Sequence, residues 1–362
     1  VFSSSEKNFA KTKVEIRINK DKKILDNSQR SIISSTRKNI VNIIKKKGDP
    51  IVSINFLTEN QKAYFPAAVV KRIVSQSILK IIFSSYFPNP FILSAERTGI
   101  ALFRNELNYS RNHFFDQLNS DEEEDELERK QHNNFSLPVY DNLYFVREIE
   151  SITKKDSFIQ KKHPQLIDFF SKSVCGGFKV TENNELYFTP DSDSKLNLTM
   201  VEASSSVRAL LSLSFYLKHS AKKGDILMID EPELNLHPKN QRLMARLFAR
   251  LANIGINVFI TTHSDYIIKE LNTLIMLNQD LPHVEKIIAK EGYQKDELID
   301  IKDIRVYNAR EDLIKASGSK RKVRGNTLVP ADIDQQTGIG IDSFDDSINE
   351  MNEIQSEILF GG

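Results

Sequence analysis

Two acids, Asp230 and Glu231, stand side by side after an apolar run of Ile226, Leu227, Met228 and Ile229. A short apolar run bounded by turn residues suits a buried strand of a parallel sheet. Acids at the carboxyl end of such a strand lie where open α/β sheets bind their ligands. The chemistry is that of a Walker B element, in which one carboxylate holds Mg²⁺ on a nucleotide and the next activates a water. A second apolar run, residues 257–261, ends in Thr262, His263 and Ser264. A third group, Ser204, Ser205 and Ser206, precedes an apolar helical stretch. Hydroxyl side chains at a helix start cap free N–H groups and leave a positive helix end open to an anion. Capping accounts for one serine, and three point to an anion. Arg97, in a polar loop after the short strand Phe91, Ile92 and Leu93, suits a phosphate or partner contact, or a structural pair with Glu96.

The intervening residues supply the elements that hold these groups. Residues 232–238 form a loop, and residues 239–253 form a helix with Leu243, Leu247 and Leu251 on one face, closed near Gly255. Strand, acids, helix, strand and histidine in that order make a βαβ unit with chemistry at two adjacent strand ends. Upstream, residues 176–201 alternate apolar and polar, which predicts a meander of short antiparallel strands. The serines then open a helix from Val207 to about Lys218. Downstream, a helix is expected at residues 265–272, strands at 274–277 and 303–307, and a basic mobile segment at 316–326. The end, residues 338–359, reads as a short strand and a helix with Ile348, Met351, Ile354 and Ile358 on a packing face.

Near the start, Val14, Ile16 and Ile18 alternate with polar residues, and residues 51–57 form another strand. Lys45, Lys46 and Lys47 before Gly48 suit phosphate, or a solvated face. Residues 66–85 have helical spacing, and residues 103–173 read mostly helical. Within them, residues 121–128 hold seven acids, a loop or solvated helix end, or else an acidic docking patch. Net charge is +1, yet residues 1–48 hold 13 Lys/Arg against 4 Asp/Glu. The single Cys175 excludes an internal disulfide and fits a reducing, cytoplasmic setting. No apolar run reaches membrane-spanning length, and the start is unlike a signal peptide.

The stretches ASSSVRALLSL, ILMIDEPELNLHP and FITTHSDYII together resemble the ATPase core of the ABC class. Within it they resemble the OLD and SMC-like branch, and most closely the AAA-type ATPase subunits of bacterial phage-defence systems such as PARIS, Septu and some retrons. The likeness is strong over residues 200–277. It implies an α/β ATPase head with a parallel core sheet, an antiparallel β subdomain and a helical insertion. The head's N-terminal part would be residues 1–100 and the insertion 101–175. Signature, Walker B and switch histidine would occupy 176–315, and a basic loop, strand and helix 316–362. The resemblance implies ATP and Mg²⁺ as cofactors, with Asp230 on Mg²⁺ and Glu231 as general base. His263 would bond the γ-phosphate. Ser204, Ser205 and Ser206 would touch the nucleotide of a second protomer, and Leu234, Asn235, Leu236 and His237 would form the D-loop across a homodimer. A separately encoded nuclease or toxin effector is the implied partner, under the control of ATP turnover.

Two features depart from the family pattern. Ser205 and Ser206 stand where the signature has glycine, which permits the closest backbone approach to phosphate. No G-x-x-x-x-G-K-[ST] phosphate loop occurs in the chain, which starts at Val1, so the loop is expected in a segment before it, the alternative being a degenerate ATPase that binds nucleotide poorly. Two other functions compete. One is a DNA-repair or maintenance ATPase acting on DNA directly, supported by basic residues 1–48 and 319–324 without aromatic interleaving. The other is a non-enzymatic scaffold on an ATPase fold.

Overall fold

The computed structural model describes residues 13–17, 29–34, 39–46, 48–56, 75, 90–104, 136–181, 185–315, 322–340 and 342–360. The chain divides into two compact units, residues 1–89 and 90–362. The expected helix at 66–85 and the acidic run at 121–128 lie outside the described residues, residue 75 excepted.

The first unit holds an antiparallel sheet of β1 (Lys13–Arg17), β2 (Gln29–Ser34), β3 (Asn39–Lys45) and β4 (Ile51–Phe56), in the order β1-β4-β3-β2. Ile43 faces Ile54 and Lys45 faces Val52 across β3 and β4, and all four side chains are buried. Alternation thus turns Lys45 inward, where its Nζ donates to the Lys46 carbonyl at 2.8 Å. Of the other lysines in the run read as suiting phosphate or a solvated face, Lys46 is exposed and Lys47 lies outside the described residues.

In the second unit β5 (Pro90–Leu93) leads into a short helix, α1 (Arg97–Leu102). A helical stretch follows from residue 137, ending in α2 (Pro164–Val174). The expected meander is present as β6 (Gly176–Val180), β7 (Leu186–Pro190) and β8 (Leu198–Thr199), antiparallel in that order. Next come α3 (Ser205–Phe215), β9 (Ile226–Asp230), α4 (Pro238–Asn253), β10 (Asn257–Thr261) and α5 (Asp265–Met276). β10 and β5 both run parallel to β9, which lies between them. The mixed α/β architecture around a parallel sheet is therefore as expected. One sheet face, through Leu93, Leu227 and Ile229, packs on Met244, Leu247, Phe248 and Leu251 of α4 and on Leu166 and Phe170 of α2. These α4 residues fall at helical spacing and bury one stripe.

Five local readings are corrected. α3 begins at Ser205 and passes after Phe215 into a π-helical turn, Tyr216–Ser220, rather than continuing as α-helix to Lys218. Residues 274–277 are not a strand. Leu271, Leu274 and Ile275 keep the helical spacing set by Ile267 and continue α5. Residues 304–306 lie outside any strand, and extended pairing starts at Tyr307. There β11 (Tyr307–Lys315) and β12 (Lys322–Pro330) form a nine-pair antiparallel ribbon, so residues 322–326 are ordered strand, not mobile loop. The terminal helix, α6 (Asp342–Phe360), is present, but Met351, Ile354 and Ile358 are exposed rather than packed.

Candidate active site

The register of the parallel sheet builds the site. Thr261 pairs with Asp230 and Ile229 with Leu93, so β5, β9 and β10 deliver their carboxyl ends to one edge. Asp230 and Glu231 leave β9 beside Thr262 and His263, which leave β10. The Thr261 hydroxyl donates to Oδ1 of Asp230. The Glu231 N–H donates to the Thr261 carbonyl at 3.1 Å. Beyond this contact the backbone turns sharply, with φ of 47° at Glu231 and 61° at Asn235. Left-handed geometry is routine for asparagine and unfavourable for glutamate. Asp230 and His263 are exposed, and Glu231 is half-buried.

Arg97 anchors this turn from below. Its Nη1 donates to the carbonyl of Asp230 and its Nη2 to that of Glu231, each at 2.7 Å. Nη1 also donates to Ser94 at 3.0 Å, and Nε to Ala209 of α3 at 3.2 Å. Arg97 as a whole is 3% exposed, so these bonds replace water. Burial pushes its pKa below the usual arginine value, opposed by Asp230, Glu233, Glu231 and Glu96 in that order. Arg97, expected to suit a phosphate or partner contact or a structural pair with Glu96, spends its planar fork on four backbone carbonyls joining β5, β9 and α3. Ser94 is fixed in turn, its N–H and hydroxyl both donating to Oδ1 of Asn142.

Ser204 caps α3, its Oγ accepting from the Val207 N–H at 3.3 Å, and it shares a 2.8 Å hydrogen bond with Ser206. Among the described residues the three serines make no hydrogen bond to Asp230, Glu231 or His263. α3, which they open, is tied to that edge by the Arg97 bond to Ala209 and by Leu210 and Leu213, which share a buried cluster with Leu227 and Ile229 of β9. Asn235 is exposed and its Nδ2 donates to the Thr98 hydroxyl at 3.3 Å. His237 caps α4, its Nδ1 accepting from the Lys239 N–H.

Sequence reasoning did not single out Glu233, whose carboxylate accepts from the His263 N–H at 2.7 Å and the Thr262 hydroxyl at 2.8 Å. The signal was a third acid, two positions past the pair, facing a Thr-Thr-His run on the next strand. Among the described residues no group of three His, Cys, Asp or Glu can cage a metal. Asp230 is instead a single open carboxylate beside a hydroxyl. That donor set suits Mg²⁺ brought in on phosphate oxygens, which keeps several waters and needs only one or two carboxylates.

An open carboxylate, a second one beside it and a neighbouring histidine are gathered at parallel strand ends, where open α/β sheets bind their ligands. The AAA ATPase domain family matches residues 2–268. The chain belongs to that family. It is an AAA ATPase, and the acids of β9 and the histidine after β10 lie inside the matched region. Among solved structures, one from work on the structural biochemistry of ATP-driven dimerization and DNA-stimulated activation of SMC ATPases is similar. It is 12% identical, with 59% of this chain and 96% of that chain covered and a TM-score of 0.28. No curated protein matches. No helix among the described residues of this AAA ATPase is long and apolar enough to cross a membrane.

Proposed function

We propose that this AAA ATPase hydrolyses ATP at the β5-β9-β10 edge, as the nucleotide-driven subunit of a bacterial anti-phage defence complex. The observation that carries the catalytic reading is the pairing of Asp230 with Thr261, which brings Asp230, Glu231 and His263 to adjacent strand ends. In this reading Asp230 holds Mg²⁺ on the phosphates, directly or through water. Glu231 takes a proton from the attacking water, and the His263 imidazole hydrogen-bonds the γ-phosphate. Ser204, Ser205 and Ser206 reach the nucleotide of a second protomer, and the exposed Asn235 and His237 lie at that junction. ATP then joins two copies, and turnover sets the lifetime of the joined state. Phosphoryl transfer needs chiefly positioning and charge stabilisation, which this division of roles supplies.

The defence role, a separately encoded nuclease or toxin effector and a cytoplasmic location rest on the sequence resemblance across residues 200–277. ATP hydrolysis by the full-length protein, wild type beside Glu231→Gln, tests the catalytic reading. Loss of the general base lowers kcat by at least about 100-fold while ATP still binds. Turnover within a few-fold of wild type would remove Glu231 from its role. Phage plating on cells carrying the whole operon, wild type beside the same variant, tests the defence role, which requires protection to disappear with turnover.

A further inference from the structure

Glu233 lies in the loop after β9, yet among the described residues its carboxylate hydrogen-bonds only to the segment after β10. One oxygen accepts from the His263 N–H at 2.7 Å and the other from the Thr262 hydroxyl at 2.8 Å. The loop itself is shaped by its own backbone, with Leu234 N–H on the Glu231 carbonyl and Leu236 N–H on the Glu233 carbonyl. The Glu233 side chain is therefore not needed to form the turn. A second bridge lies just beyond. Gln241 of α4 donates from Nε2 to the Leu236 carbonyl at 2.8 Å, and its Oε1 accepts from the Ser264 hydroxyl at 2.5 Å. Ser264 also caps α5 through the Ile267 N–H. His263 is thus held on both sides, by Glu233 at its own N–H and by Gln241 at the next residue. Its ring is left exposed, with no hydrogen bond to any described residue.

We infer that Glu233 is a positioning residue for ATP hydrolysis: it clamps the Thr262–His263 backbone to the loop carrying Glu231, so that imidazole and general base share one rigid frame. The inference rests on the roles of Glu231 and His263 proposed above. Its physical content is geometric. The carboxylate fixes a backbone N–H two residues past the β10 end, and rotation there would swing the imidazole. A misplacement of about 1 Å at a reacting group costs on the order of 100-fold in rate. The clamp also makes the His263 position depend on residues 233–236, whose exposed Asn235 lies on the same loop. Anything that displaces this loop pulls on the histidine through two hydrogen bonds.

The test compares Glu233→Ala, Glu233→Gln and Glu231→Gln in the full-length protein, measuring kcat, KM for ATP and Tm. Alanine removes both acceptors. Glutamine keeps one acceptor for the His263 N–H and turns its NH₂ to the Thr262 hydroxyl, which can accept as well as donate. The expected result is a kcat loss of about 10- to 100-fold for Glu233→Ala, KM changed by less than about threefold, and Glu233→Gln within about threefold of wild type. Equal kcat for Glu233→Ala and wild type overturns the clamp. So does a Glu233→Gln variant as inactive as Glu231→Gln, because a negative charge and not a hydrogen-bonded position would then be required. A Glu233→Ala loss matched by a fall in Tm and recovered on cooling marks a merely structural contact and also overturns it. An active Glu231→Gln variant instead overturns the underlying site assignment, a separate outcome read from a separate protein.

Discussion

Replacing Arg97 with methionine discriminates between a brace and a ligand. The side chain occupies a site that is 3% exposed and bonds to the carbonyls of Ser94, Ala209, Asp230 and Glu231. Each hydrogen bond from a charged donor contributes about 1.5–3 kcal/mol, so the four together amount to about 6–12 kcal/mol. Methionine also ends the burial of a guanidinium, which returns several kcal/mol of desolvation. Water reaching the outer carbonyls offsets a further part. The net expected loss is about 3–4 kcal/mol, within the range for breaking a buried polar network. At about 2–4 °C per kcal/mol for a unit of this size, Tm falls by roughly 6–16 °C. Differential scanning fluorimetry reads that shift, and isothermal titration with a non-hydrolysable ATP analogue well below the new Tm reads affinity. A brace gives a lowered Tm, a lowered kcat and affinity within about threefold, less than 1 kcal/mol. A ligand gives the reverse: an unchanged Tm with affinity reduced more than tenfold, which would refute the assignment made from the four carbonyls. Arg97→Lys does not restore the wild-type values, because an ammonium lacks the planar fork that spans β5, β9 and α3.

Two further substitutions test other parts of the frame. Ser204→Ala removes the α3 cap and costs about 1 kcal/mol, seen as a Tm lower by about 2–4 °C. A larger effect on ATP-dependent association, read by light scattering, than on Tm marks a phosphate contact beyond capping. Glu297 is fully buried and pairs with Arg246 at 2.8 Å, and Glu297→Ala leaves that arginine without its carboxylate partner. The expected loss is about 3 kcal/mol in urea unfolding at an unchanged m-value.

What could be read from the sequence was the part whose signals are local. Ile226 to Ile229 closing on two acids, a capped helix with a leucine stripe and a second apolar run before His263 fall within 38 residues, and each has its own pattern. Their parallel pairing followed from the βαβ rule. The supports escaped because their partners are distant in sequence. Arg97 meets Glu231 across 134 residues and Glu233 meets His263 across 30; a third acid and a Thr-Thr-His run hint at the second pairing, and no residue pattern specifies the first. At residues 274–277 four consecutive apolar residues fit a strand or a buried helix end equally, and the packing of Leu274 with Ile267 and Leu271 decides for the helix. Residues 322–326 looked mobile from their charge, whereas cross-strand pairing with residues 311–315 orders them. On α6 the apolar spacing was legible, but Met351 and Ile358 remain in solvent.

The left-handed backbone at Glu231 sets two kinds of selection against each other. A glutamate held at a φ of 47° costs the fold on the order of 1–2 kcal/mol relative to a relaxed conformation, a cost glycine would not carry. Asn235, four residues on at 61°, is a type that tolerates the same conformation. A library screened for heat resistance alone would therefore enrich glycine at position 231 and discard the carboxylate on which turnover is proposed to depend. Natural variation at this position among functioning relatives would be narrower than its surface placement suggests, and an engineered stable version would be expected to bind nucleotide and keep it.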